Sequence, residues 1–129
     1  MKDEDEIKFH DLVFKALDHA IESVSGGEML VPFVMTNTNI HRFVADRVEI
    51  AKDKAENYIK EQKDEPLMVL AYDGFITVEN IKHDAVFVKS IDRNRKKKLV
   101  LAQRYVPTTT EQIFKKIGNP VLVEQANYE

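Results

Sequence analysis

Cysteine is absent from this chain of 129 residues. That absence excludes disulfides, thiolate metal sites and cysteine nucleophiles, and it fits a reducing cytoplasm. Long apolar runs are missing as well. None approaches the roughly 20 residues that a membrane span needs. The opening Met1-Lys2-Asp3-Glu4-Asp5-Glu6 carries the wrong charge for a secretory signal, so a soluble, unprocessed cytoplasmic protein is expected. There is no excess of basic residues either. A net charge of -3 and a pI near 5.8 argue against general nucleic-acid binding, which needs a basic surface. Glycine is sparse, at four residues, and the pair Gly26-Gly27 follows a helical pattern instead of opening one. It reads as a helix stop and not as a phosphate-binding loop. Internal repeats, low-complexity tracts and interdomain linkers are also absent.

What is present is a 43% hydrophobic composition, enough for one ordinary domain to bury a core, and a single α+β domain over residues 1–129 is expected. The fold class follows from Leu67 to Val106, which reads as consecutive strands joined by short polar turns. Leu67 to Tyr72 is a compact apolar run. Asp73-Gly74 follows as a turn dipeptide, Phe75-Ile76-Thr77-Val78 resumes strand residues, and Glu79-Asn80 marks a second reversal. From Ile81 to Ile91, Ala85, Phe87, Lys89 and Ile91 alternate with Val86, Val88 and Ser90, and Leu99 to Val106 completes the meander.

Residues 7 to 24 form an amphipathic helix, because Phe9, Leu12, Val13, Ala16, Leu17, Ala20, Ile21 and Val24 recur at three- and four-residue intervals. At about 100° per residue, Lys8, Asp11, Lys15, Asp18 and Glu22 share a narrow polar arc, and apolar residues including Ile7 and Phe14 fill most of the circumference. That arc is wider than one sheet contact needs. The helix therefore either lies between two layers or meets a second copy along one flank. Glu28 to Met35 and Ile40 to Ala45 read as a hairpin around Thr36-Asn37-Thr38-Asn39, with Pro32 at an edge or bulge. A second helix follows, with Asp46 and Glu49 as a capping box and Val48, Ala51, Ala55, Tyr58 and Ile59 as its apolar stripe. Past Pro107, Thr110 is expected to cap a short helix carrying Ile113, Phe114 and Ile117, which Gly118-Asn119-Pro120 stops. Val121-Leu122-Val123 adds a short strand, and Gln125 to Glu129 frays. The expected fold is α+β: an antiparallel sheet of about five to six strands packed with two main helices and a short C-terminal helix. The expected order is α-β-β-α-β-β-β-β-α-(β).

The chemistry-bearing residues are scattered. His10 and His19 stand nine positions apart on one helix and point to nearly opposite sides, so they do not chelate one ion together within a subunit. His41 and His83 lie near strand ends without a His-Glu-x-x-His spacing, and no metal or cofactor is expected. His10 falls inside the apolar arc and reads as a core or interface histidine. Asp73 could join Asp84 or Asp46 as paired acids for hydrolysis, although turn formation alone accounts for Asp73-Gly74. Ser23, Ser25 and Ser90 lack a nucleophile elbow, and no catalytic residue is assigned. The sharpest local feature is Arg93-Asn94-Arg95-Lys96-Lys97-Lys98, five of whose six residues are basic. With Arg104 it suits an anionic partner, but a solvated tip whose lysines discourage edge aggregation is the favoured explanation. The acidic residues Asp3 to Glu6 are its expected counterpart in a neighbouring copy.

The element order of helix, two strands, helix, three strands and a last helix resembles that of roadblock- and longin-type adaptor folds over most of the chain. The segments Val69 to Gly74, Asp84 to Val88 and Ala102 to Tyr105 are similar to those of a family of small bacterial α+β proteins of unassigned function. Neither resemblance implies an activity or a site residue. The leading expectation is a small non-enzymatic adaptor or regulatory module that binds protein and forms a homodimer through its overloaded first helix. Ile7, His10, Phe14 and Ile21 are expected to flank that contact. The alternatives are a small hydrolase using Asp73, His83 and Asp84, and an anion- or nucleic-acid-binding module using Arg93, Arg95, Lys96, Lys97, Lys98 and Arg104.

Overall fold

Side-chain alternation along two long central strands divides the core between two helices. The computed structural model describes residues 4–128. Along the chain come α1 (Glu4–Ser25), β1 (Phe33–Met35), β2 (Ile40–Arg42), α2 (Val48–Glu61), β3 (Leu67–Val78), β4 (Ile81–Asp92), β5 (Lys97–Val106) and β6 (Lys115–Asn127). All six strands join one antiparallel sheet in the order β2-β1-β3-β4-β5-β6. On β3, Leu67, Val69 and Ala71 point into a cluster built on Phe9, Leu12, Val13, Ala16 and Leu17 of α1. Met68 and Leu70 point the other way, into a cluster built on Ala51, Ala55 and Ile59 of α2. β4 repeats the pattern, with Val86 and Val88 toward α1 and Ile91 toward α2. Burial on both faces is why Leu67 to Ala71 reads as an unbroken apolar run.

Asp73-Gly74 is not a turn. β3 runs through it from Leu67 to Val78, and the reversal comes at Glu79-Asn80, whose φ angles of 52° and 66° suit a two-residue hairpin. Packing explains Gly74: a Cβ there would lie 3.2 Å from the Phe87 ring, which stacks on Tyr72 with centroids 5.2 Å apart. The expected C-terminal helix over Thr110 to Ile117 is also absent, and Lys115–Asn127 forms β6 against β5. Gly118-Asn119-Pro120 bends this strand instead of ending a helix. Register shifts fall at Val100/Leu101 and Ala102/Arg104, and Gly118 takes a φ of 64°. The buried Gln103 amide donates to the carbonyls of Ile117 and Gly118 at 3.3 and 3.1 Å, holding the irregularity in place. The element order is therefore α-β-β-α-β-β-β-β.

Two smaller differences have local causes. β1 begins only at Phe33, because Pro32 has no N–H for the ladder and its carbonyl instead accepts from the Phe43 N–H at 2.9 Å. Helix α2 starts at Val48 with Arg47 in the capping position and no side-chain cap bond, so the Asp46–Glu49 capping box does not form. At the C-terminal end the chain stays in the sheet to Asn127, and the Tyr128 N–H donates to the Lys96 carbonyl at 2.9 Å. The fraying expected from Gln125 is thus not seen up to Tyr128; Glu129, like Met1, Lys2 and Asp3, lies outside the described residues.

Candidate functional site

β1 pairs with β3 only at Val69, Leu70 and Ala71. Beyond that point, from Tyr72 to Val78, β3 has β4 on one side and, among the described residues, no strand on the other. The pairing stops there because β1 begins at Phe33, opposite Ala71, and the residues before it do not continue the ladder. A cavity of about 580 Å³ follows this free edge. Its rim is apolar, with Met29 78% and Phe75 61% exposed beside Val48, Tyr72 and Phe87. Its polar lining comprises Asp73 and Asp84 from the hairpin and Glu49 and Lys52 from α2, whose ammonium sits 4.2 Å from the centre of the Tyr72 ring.

Asp73 lies half-buried in the middle of β3. The Tyr105 hydroxyl donates to its Oδ1 at 2.8 Å, and the Gly74 N–H reaches the same oxygen at 3.0 Å. Burial pushes the Asp73 carboxyl above its ordinary range; the bonds from Tyr105 and Gly74 pull it back, and the nearby Asp84 charge adds to the push. Burial also raises the Tyr105 phenol, helped by its bond to Asp73 and by the charges of Asp73 and Asp84, so its hydroxyl remains a donor. Tyr105 is held from two sides: it pairs in register with Asp84 and stacks on Phe114 at 5.6 Å. With Asp73, Asp84 and Glu49 in its lining against Lys52 alone, which lies over the Tyr72 ring, the groove carries an excess of negative charge and is suited to a cation.

The residues singled out in the sequence divide unevenly around this cleft. Asp73 and Asp84 come together in its lining, while Asp46 and His83 are not part of it; His83 pairs with Ile76 and, as the strand neighbour of Asp84, faces the opposite side of the sheet. His41 packs against Phe43 and Tyr58 in tilted ring contacts, with centroids 4.7 Å from each. Among the described residues no group of three or more His, Asp or Glu side chains is placed to hold a metal. Tyr105, which supports Asp73 from the buried side, and Met29 and Val48, which line the cleft, were not anticipated. Only the strand register, which places Tyr105 opposite Asp84, identifies the first of them.

The first-helix residues form a stripe away from the cleft. Ile7 and Phe14 are exposed, His10 is half-buried with its ring 5.9 Å from Phe9, and Ile21 packs partly on the α1 cluster. Phe14 shares a shallow depression with Met35 and Ile40.

The basic tip is largely engaged within the chain. Arg93 turns inward to donate to the carbonyls of Ile59 and Glu65, the latter at 2.7 Å, which places a cation at the C-terminal end of α2 where the helix dipole favours one. Arg95 pairs with the buried Asp92 at 2.9 Å and with Glu6 at 3.6 Å, so the acidic N-terminal segment meets the tip inside one chain. Asp3 lies outside the described residues. Lys98 pairs with Glu124 at 2.8 Å, and Arg104 lies in mid-sheet, in register with Ala85 and Ile117. Lys96 lines a second cavity of about 570 Å³ with Lys60, Lys63, Arg93 and Tyr128, while Lys97 is exposed at the start of β5.

No protein-family model, curated protein or solved structure matches this chain. Among the described residues no helix is long and apolar enough to cross a membrane.

Proposed function

We propose that this chain is a non-enzymatic binding module, an adaptor or regulator, that works by protein–protein contact and self-associates along α1. The observation that carries the reading is the exposure of Phe14. Among the described residues α1 packs chiefly on β3 and β4, and the Phe14 ring stays 48% exposed, in line with Ile7, two turns earlier, at 44%. Scattered apolar residues on a surface mean little. A stripe aligned along one helix flank is different, because an isologous contact covers it on both copies at once. Burying the remaining surface of such a side chain stabilises by roughly 1 kcal/mol each. His10 and Ile21, partly buried beside the stripe, would set its borders.

Light scattering on the native chain and on Phe14→Glu, with circular dichroism as a check on folding, tests this. A native dimer that becomes a folded monomer is the expected result. A native monomer whose Phe14→Glu variant unfolds would make the stripe part of the core and end the proposal.

A further inference from the structure

We infer that the free edge of β3 takes up an extended segment of a partner protein as an added strand, and that this segment alternates basic with apolar side chains. The inference rests on the reading of the chain as a protein-binding module and names the kind of partner.

The first argument comes from how the sheet protects its edges. β6, at one border, carries Lys115, Lys116 and Pro120 and has two register shifts; β2, at the other, is only three residues long. Lysine, proline, bulges and brevity are the devices that keep a strand edge from pairing. The edge Tyr72-Asp73-Gly74-Phe75-Ile76-Thr77-Val78 has no lysine or proline, and its pairing with β4 runs without a register shift. It is a long edge left open, with apolar side chains along its rim, and a strand edge of that kind binds extended peptide through its main-chain groups.

The second argument is the parity of the lining. In a sheet, residues directly opposite one another point to the same face. A residue set opposite Asp73 would share the face of Asp73 and Asp84, and one set opposite Gly74 would lie over the Phe87 ring, which the missing Cβ leaves uncovered. The first position calls for a cation. Among the described residues neither Asp73 nor Asp84 has an ion-pair partner, and the side-chain donors and main-chain donors on Asp73, Tyr105 and Gly74, are neutral. The second position calls for an apolar side chain. Lys52 and Lys82 do not answer the need, being held over the Tyr72 and Phe75 rings at 4.2 Å each.

The test uses the full chain and two synthetic heptapeptides, one alternating valine with lysine and one alternating valine with glutamate. Binding is followed by nuclear magnetic resonance, with amide exchange at Phe75 and Thr77 as the local readout. The valine–lysine peptide is expected to bind and slow exchange at that edge, and to lose at least about tenfold in affinity in Asp73→Asn and in Phe75→Lys, which places on β3 the guard residue that β6 carries. Binding should survive in Phe14→Glu, which separates this result from the fate of the α1 contact. Equal binding of the glutamate peptide, or no protection at Phe75 and Thr77, would overturn the inference. So would a native dimer abolished by Phe75→Lys but not by Phe14→Glu, because the edge would then be filled by a second copy.

Discussion

Asp73 and Glu56 are two half-buried carboxyls on which the same burial has opposite outcomes. At Glu56 burial opposes ionisation, but Lys89 at 2.6 Å, with Lys52 and Lys60 nearby, outweighs it and holds the carboxyl below its ordinary range. Stability from that group is present above the ordinary carboxylate range and is lost as pH falls through it. At Asp73 burial prevails, because only neutral donors oppose it and Asp84 adds a like charge. The folded chain therefore holds the Asp73 proton to higher pH than the unfolded chain does. Folded molecules bind more protons across that interval, so stability falls as pH rises through it. Asp73→Asn removes the ionisation and keeps an acceptor for Tyr105. Its melting temperature, relative to the native chain, is expected to improve as pH rises through and above the ordinary carboxylate range. A difference that stays constant with pH would mean that the Asp73 carboxyl titrates alike in both states. None of this can be read from the Asp73-Gly74 dipeptide, which locally has the composition of a turn; Tyr105 lies 32 positions away in sequence, and only strand register joins them.

Elements with strong periodicity were legible, and elements decided by distant partners were not. α1 was readable because its apolar positions follow the helical period over many turns, and the Glu79-Asn80 reversal because it separates the strand residues Phe75 to Val78 from the alternation that begins at Ile81. β6 was not. Ile113, Phe114 and Ile117 fit a short helix, and Gly118-Asn119-Pro120 looks like its stop. What turns the segment into a strand is the open side of β5, together with a side chain that satisfies the irregular backbone. Gln103, almost fully buried, donates to the carbonyls of Arg104, Ile117 and Gly118 at 3.0, 3.3 and 3.1 Å. Gln103→Leu keeps the volume and removes these donors, leaving acceptors at the bulge without partners. The variant is expected to lose about 1–3 kcal/mol, with faster amide exchange in β6, at Val121 and Leu122, than in β3. Unchanged protection of β6 would show that pairing alone holds the strand.

At the scale of the whole molecule, the two apolar clusters lie on opposite faces of the sheet and share β3. The sequence reading anticipated two main helices on an antiparallel sheet, but not that each helix takes its own face, because a run buried on both sides has no alternation to reveal which residue points where. The shared strand has an energetic consequence. Leu70, fully buried in the α2 cluster, stands between Val69 and Ala71, which belong to the α1 cluster. Leu70→Ala opens a cavity on the α2 side only, and core truncations of this kind cost about 3 kcal/mol. If β3 couples the two faces, that loss should appear equally on both. Exchange of the α1 amides of Val13 and Ala16, which make no direct contact with the cavity by virtue of lying across the sheet, should accelerate by the same factor as that of Ala55 and Ile59 in α2. Acceleration confined to α2 would divide the chain into two units that open separately, with the cleft beside β3 lying where they meet.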